Sequence, residues 1–459
     1  MNTYVTRAFA TAIAALGFCV SAHSETLDNI YQQALLNDHQ FKAAQAAYAG
    51  GQENRAIGRA GLLPQIGGSY QYSRVEHTSP PRDDGIVEST TTSKTLQVEL
   101  NQPLFDLTAW HNYKRGDALS DQAAALFGVA KQDLIIRTAE AYFDALNAVD
   151  NLETAIAEEQ ALSHQLEQTR QRFEVGLTAI TEVHEAQAAY DTAVALRLTT
   201  EGNLGIAFEA LEVLTGAPYT QLAPIKDNFP VTRPEPADRH EWVEFALKNN
   251  YSLAAASLNA KAARSTARAR ASDHLPIVTG QLAYGDTDSD METLLNNSPI
   301  PSDDPREGED ASVSIILSVP LYYGGGISAS RRQAHQQYLE AQEEFLQTQR
   351  DIVQSTRSLH LSVVTSVASV KAREQAITSS RSALEATQAG YDVGTRDLVD
   401  VLNAQRSLFS AQRDYYDALY TYVLNSLRLK AAAGMLSAED IVDLNLWLDQ
   451  QNPVRRTGL

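Results

Sequence analysis

The chain has 459 residues, 37 Lys+Arg against 57 Asp+Glu for a formal net charge of −20, and one cysteine, Cys19. Such an acidic balance excludes a basic nucleic-acid binder, and a lone cysteine excludes both an intrachain disulfide scaffold and a multi-thiolate zinc site. At 44% hydrophobic and 7% aromatic the chain is neither disordered nor built from membrane-spanning helices, and its length alone suggests two or three compact domains.

Residues 1–24 predict an export signal: Arg7, an apolar stretch from Ala8 through Val20, and a small-residue exit at Ala22-His23-Ser24, with cleavage after Ser24 or Ala22. Cys19 leaves with it, and the mature balance becomes −21 because Arg7 is the only charge removed. A lipid-anchor reading of Leu16-Gly17-Phe18-Cys19 is disfavoured by the bulk of Phe18. Beyond Val20 no apolar run approaches the ~20 residues that a spanning helix needs. An exported chain of this kind is soluble or crosses a membrane as a β-barrel.

The mature chain then repeats one order of elements. A helix is expected over Asp28 to Gly61, and an alternating strand over Gln65 to Ser73 has Ile66, Tyr70 and Tyr72 opposite Gln65, Ser69, Gln71 and Ser73. Glu76 to Thr92 reads as an acidic solvent loop, and a second strand sets Leu96, Val98 and Leu100 against Thr95, Gln97, Glu99 and Asn101. A very long helix from Trp110 to Phe173 follows, then a turn at Val175-Gly176-Leu177 and a helix from Thr178 to Thr215. Residues 218–238 form a Pro-rich link. The second pass has a helix over Arg239 to Ser272, and strands containing Val278, Leu282, Tyr284 and Val313, Ile315, Leu317 flank a loop over Asp286 to Asp310. A long helix from Ser328 to Gln388, a turn at Val393-Gly394-Thr395 and a helix from Asp397 to Ala432 complete it. Glycine at 176 and 394 suits a tight reversal with positive φ.

The passes match residue by residue. Phe173-Glu-Val-Gly-Leu177 aligns with Tyr391-Asp-Val-Gly-Thr395, and the same offset pairs Gly216 with Gly434. Upstream, Leu63-Pro64 pairs with Leu275-Pro276, and Pro103-Leu104-Phe105 with Pro320-Leu321-Tyr322. The expected domains are therefore the signal 1–24, a first repeat 25–217, a linker 218–238, a second repeat 239–435 and a C-terminal segment 436–459.

Between Pro103 and Pro218 no proline interrupts the chain, nor between Pro320 and Pro453. Apolar residues recur every seven at Val363, Val370, Ile377, Leu384 and Tyr391, and again at Val401, Leu408, Tyr415 and Tyr422, as in coiled-coil seams. The long helices measure about 92 to 96 Å at 1.5 Å per residue, and the shorter ones, stacked in pairs, about 105 to 110 Å. Such pairs match one long helix and build a wall about 100 Å tall. The strands, polar on one face and apolar on the other, suit a lipid-facing barrel around water, although a one-sided soluble sheet has the same pattern. Four strands cannot close a barrel; three chains supply twelve.

Leu27-Asp-Asn-Ile-Tyr-Gln-Gln-Ala34, Leu63-Pro64-Gln65, Ala141-Tyr-Phe-Asp-Ala-Leu-Asn-Ala148, Gln171-Arg-Phe-Glu-Val-Gly-Leu177 and Ala389-Gly-Tyr-Asp-Val-Gly-Thr-Arg396 occur in that order. On this ordered set the chain resembles the TolC family of trimeric outer-membrane efflux channels over essentially its whole mature length. The resemblance implies an α+β membrane protein whose homotrimer forms one 12-stranded β-barrel in outer-membrane lipid, continued by a 12-helix coiled-coil α-barrel in the periplasm, with a mixed equatorial region. It implies a gate at the periplasmic end, with contacts among Tyr391, Arg396, Thr181 and Glu182, partly between subunits. Glu182 stands where the best-known members have Asp. Asp400 lies on a helical face with Arg396, Asn403 and Ser407, and three copies would ring the narrowest pore, attracting cations. Members often carry a second acidic ring where this chain has Asn403, so weaker block by multivalent cations is expected. The tips at Val175, Gly176, Leu177, Val393, Gly394 and Thr395 would dock a periplasmic adaptor (membrane fusion protein), six near-equivalent sites per trimer matching a hexamer.

No catalytic constellation, metal motif or cofactor site is legible. Gly324-Gly325-Gly326 lacks a phosphate-loop context and reads as a relaxed strand-to-helix transition. Energy must then come from an inner-membrane pump, proton-driven or of the ABC type. The principal reading is a passive exit duct, not an enzyme, for drugs, toxic small molecules or secreted polypeptides. A coiled-coil structural or adhesion protein anchored in the outer membrane is the alternative, and a diffusion porin is disfavoured by the long helices.

Overall fold

The computed structural model describes residues 25–79, 85–300 and 306–455. The export signal with Cys19, the segments 80–84 and 301–305 within the expected outer loops, and the last four residues lie outside the described residues. In chain order the elements are α1 (Leu27–Asn37), α2 (His39–Ala60), β1 (Gln65–Thr78), β2 (Val87–Phe105), α3 (Leu107–Glu174), α4 (Ile180–Thr215), β3 (Gln221–Leu222), α5 (Arg239–Asn249) and α6 (Tyr251–Ser272). They continue with β4 (Ile277–Leu295), β5 (Ser298–Ile300), β6 (Arg306–Ser318), α7 (Gly326–Asp392), α8 (Leu398–Ala432), α9 (Ala438–Asn445) and β7 (Val454–Arg455).

Two expected helices are each broken in two. Asp38, at ψ 117°, ends α1 with its N–H on Ala34 O and starts α2 by accepting from Phe41 N. Asn250, at ψ 123°, does the same between α5 and α6, with its N–H on Ala246 O and its side chain accepting from Leu253 N. A short polar side chain competes for backbone donors and favours a cap over a helix interior. Asp38 is also ion-paired to Arg137 at 2.7 Å. Burial alone would raise the Asp38 carboxyl, but the Arg137 and Phe41 hydrogen bonds hold it below its ordinary value.

The strands run past the expected loop boundaries. Glu76 lies opposite Thr90 and Asp286 opposite Glu309, so segments taken as solvent loops belong to the ladders. The Ser/Thr run at 89–93 favours extended backbone, and polar pairs such as Lys94 with Asp288 at 3.1 Å hold it across strands. β1 pairs β2, β2 pairs β4 and β4 pairs β6, all antiparallel. The β2–β4 pair joins the hairpins of the two passes into one sheet. β1 and β6 keep open edges among the described residues. Ile66, Tyr70, Tyr72, Leu96, Val98, Val313, Ile315 and Leu317 are all exposed in the single chain.

α3 has 68 residues and α7 has 67, about 100 Å each. α2 lies along the first half of α3, where Arg55 bonds Asp117 at 2.9 Å and Asp121 at 3.1 Å and Tyr48 stacks on Phe127. α4 lies along the second half, where Arg197 pairs with Glu159. The ends of α4 and α8 meet the breaks: Gly216 lies beside Asn37, and Asn250 Nδ2 donates to Ala432 O at 2.9 Å. Two short helices thus stack against one long one. Of the seam positions, Val363, Val370, Tyr391, Val401, Leu408 and Tyr422 are buried, with Ile377, Leu384 and Tyr415 half-buried.

The principal core sits at mid-height, where Leu27, Ile30, Tyr142, Phe143, Phe208, Leu222 and Leu427 close together with α9. A second cluster, with Leu162, Leu166, Ala186, Leu398 and Val401, lies toward the hairpin tips. α3 and α8 also meet through charged and polar contacts, Arg428 to Glu140 at 2.6 Å and Tyr420 to Asp150 beside the principal core and Arg413 to Glu158 at 2.7 Å between the two clusters.

Burial pushes the Asp150 carboxyl up from 3.8 to about 7. The folded chain then binds this proton more tightly than the unfolded chain, so the stabilisation is complete below pH 4 and lost as pH rises through 7. Denaturant titrations of Asp150→Asn should show a flatter pH dependence across pH 4 to 7 than wild type; parallel curves would show that the carboxyl titrates normally.

Candidate functional site

Both hairpin tips are built by one local device. Gly176 and Gly394 have φ of +75° and +77°, where a side chain is disfavoured, and no atom lies within 4 Å of the position a Cβ would take. Leu177 N returns to Arg172 O and Thr395 N to Gly390 O, both at 2.8 Å, closing the helix ends. Val175, Leu177 and Val393 are left 70%, 71% and 75% exposed. Each tip therefore presents bare apolar side chains beside a glycine with open space around it. The restarting helices differ: Asp397 caps α8 by accepting from Asp400 N at 2.9 Å, whereas Ala179 gives α4 no side-chain cap.

Behind the tips, Tyr391 is only 4% exposed and bridges the two hairpins. Its hydroxyl donates to Glu182 Oε2 at 3.3 Å, and the Arg172 guanidinium lies 4.6 Å from the ring centroid. Burial raises the Tyr391 hydroxyl's pKa; Arg172 opposes the rise and the Glu182 charge adds to it. Arg396, in the turn just before α8, reaches along that helix, where Nη1 meets Asp400 Oδ2 at 3.3 Å in an exposed pair. Among the described residues of one protomer, Arg396 is not bonded to Thr181 or Glu182. Asn403 is exposed and its carbonyl accepts from Ser407 Oγ at 2.9 Å.

Sequence reasoning missed Arg172 and Asp397. The repeat offset itself points to the first. Arg172 aligns with Gly390, so the two hairpins differ there in size and charge. A Cβ at 390 would lie 2.8 Å from Arg396 Cγ, so glycine lets Arg396 fold back over the turn.

Among the described residues no cluster of His, Cys, Asp and Glu could hold a metal ion, and no helix is long and apolar enough to cross a membrane.

A family model described as outer membrane efflux protein matches twice, over residues 30–217 and 242–435. The chain is 36% identical over 438 residues to the outer membrane protein TolC of Vibrio cholerae, covering 95% of this chain and 97% of that protein. It is 32% identical to the alkaline protease secretion protein AprF of Pseudomonas aeruginosa, covering 93% and 88%. The solved CmeC outer membrane channel of Campylobacter jejuni superposes with a TM-score of 0.76 at 16% identity, covering 98% of each chain.

Two helices of about 100 Å beneath one long antiparallel sheet give the fold of such a channel, and 36% identity over 95% of the chain makes it TolC-like. The chain belongs to the outer membrane efflux protein family, and its place is the outer membrane.

Proposed function

We propose that this chain is one third of a passive exit duct, carrying drugs, toxic small molecules or secreted polypeptides from an inner-membrane pump to the exterior. The observation that carries the reading is the sheet: four long strands with open edges and an exposed apolar face, continuous with helices about 100 Å long. Unsatisfied edges cannot face lipid, so the sheet must be completed by other chains. Three copies complete a 12-stranded barrel and a 12-helix tunnel. The first repeat, 25–217, and the second, 239–435, contribute alternate walls, while 218–238 and the described part of the C-terminal segment, 436–455, form the belt at mid-height. A relative named for alkaline protease secretion favours polypeptide among the cargoes.

The gate is formed by Tyr391, Glu182, Arg396 and Thr181, with Arg172 added, and the narrowest ring by Asp400 beside Asn403. The six tips dock a hexameric periplasmic adaptor, and the pump is proton-driven or ATP-driven. The test of the duct is discrete conductance in planar bilayers from heat-resistant trimers; trimers without conductance would return the coiled-coil adhesion reading. Deletion paired with assays of drug susceptibility and protein secretion separates the cargoes.

The Arg396–Asp400 pair partly neutralises the acidic ring, and Asn403 adds no charge to it. Asn403→Asp is therefore expected to strengthen block by a trivalent cation severalfold in single-channel recordings. Equal block in both channels would remove the constriction from this face of α8.

A further inference from the structure

In a chain of net charge −20, four arginines stand together without a carboxylate. Arg264 and Arg268 on α6 and Arg331 and Arg332 on α7 line one open cleft of about 650 Å³, with His335 and Tyr338 at its lower edge. All four are exposed, and among the described residues none has an ion-pair partner. This is unlike Arg55, Arg137, Arg197, Arg413 and Arg428, each of which meets an acidic side chain.

Stability of the fold does not account for the group. Arg331 and Arg332 lie in the second turn of α7, near the positive end of the helix dipole, where cations gain nothing. Four like charges on facing helices also repel. The His111 imidazole on α3 is held below its ordinary value by burial and then by the Arg268 charge, so the positive field reaches beyond the cleft.

The position of the cleft indicates what would neutralise it. α7 begins directly after β6, and the connection between them carries the exposed apolar run Leu321, Tyr322 and Tyr323. Exposed aromatics at the end of a lipid-facing strand sit at the level of the headgroups. Arg331 lies about 8 Å along the helix from Gly326, comparable with the thickness of a headgroup layer. Guanidinium groups grip phosphate oxygens in a planar, bidentate fork.

We propose that this cleft binds the phosphate headgroup of an anionic phospholipid in the periplasmic leaflet of the outer membrane, one per protomer, anchoring the junction of barrel and helices. The proposal uses the outer-membrane placement and none of the gate or tip assignments. A free phosphate would satisfy the same forks, but the neighbouring aromatic run favours an acyl-chain-bearing source.

The test is native mass spectrometry of the purified full-length oligomer offered equal amounts of dioleoylphosphatidylglycerol and dioleoylphosphatidylcholine. Wild type should retain the anionic lipid over the zwitterionic one by about tenfold or more. The combination Arg264→Gln, Arg268→Gln, Arg331→Gln and Arg332→Gln should retain both equally. A control losing the same number of charges elsewhere, through Arg239→Gln, Arg350→Gln, Arg357→Gln and Arg381→Gln, should keep the wild-type preference. If the fourfold cleft variant fails to assemble, Arg331→Gln with Arg332→Gln, both on the exposed face of α7, must still weaken the preference. Unchanged retention in the cleft variants, or equal loss in the control, overturns the site. Displacement of the lipid by an equal concentration of inorganic phosphate overturns the lipid as its ligand.

Discussion

Gly394→Asp is expected to abolish efflux while leaving the oligomer intact. Gly394 has φ of +77°, and a Cβ added there meets no atom within 4 Å, so the substitution meets no steric barrier. The remaining cost is the left-handed backbone, about 1 kcal/mol and less for aspartate, whose side chain tolerates that region. What changes is the surface offered to a partner. Val393, 75% exposed, would be buried by a docked adaptor, and a carboxylate beside it would be desolvated without a counter-charge. A loss of about 2 kcal/mol at such a contact is near thirtyfold in affinity, multiplied over repeated sites. Gly394→Asn keeps the backbone preference without the charge and should retain much of the activity. Gly434→Asp supplies the opposite control: it shares the positive φ, but its Cβ would collide with the Asn249 carbonyl, so oligomers should be lost. Drug susceptibility read beside oligomer content on gels separates the cases. If Gly394→Asp also loses its oligomers, the tip is a folding element.

Tyr391→Ala is expected to open the periplasmic end, raising single-channel conductance severalfold. Tyr391 is buried with Leu162, Leu166, Ala186, Leu398 and Val401, joins Glu182 at 3.3 Å and carries Arg172 on its ring. Removing a buried aromatic ring costs about 3–5 kcal/mol, and here the loss falls on the contact holding the α7–α8 hairpin to the α3–α4 hairpin. Tyr391→Phe keeps the ring and deletes one hydrogen bond of about 1 kcal/mol, so its effect should be much smaller. Arg396→Ala breaks only an exposed pair between the turn and the first turn of α8, of about 0 to 1 kcal/mol, if the contact in one protomer is its whole role. An increase in conductance comparable with that of Tyr391→Ala would instead reveal a contact between subunits. Wild-type conductance in Tyr391→Ala, from intact oligomers, would remove Tyr391 from the gate.

Most elements were legible because their signals are local. Period two marked the strands, the proline-free stretches the long helices, period seven their seams, and glycine at 176, 394, 216 and 434 marked the reversals, where the backbone does take positive φ. The matched copies placed both tips without knowledge of the fold. The capping breaks at Asp38 and Asn250 were readable in principle, since each is a short polar residue that caps the helix after it, but each lies inside a span expected as one helix.

The sequence by itself determined the kinds of element, the lengths of the two long helices and the positions of the two tips, since each depends on φ/ψ preference and patterning within a few turns of chain. Only the tertiary structure decided that β2 pairs with β4, that Arg172 rather than Arg396 covers Tyr391, and that Arg396 turns to Asp400. The first joins strands nearly 200 residues apart, whose ladders any amphipathic strand could satisfy. The other two are choices among arginines with equal charge and reach, made by where packing leaves each guanidinium.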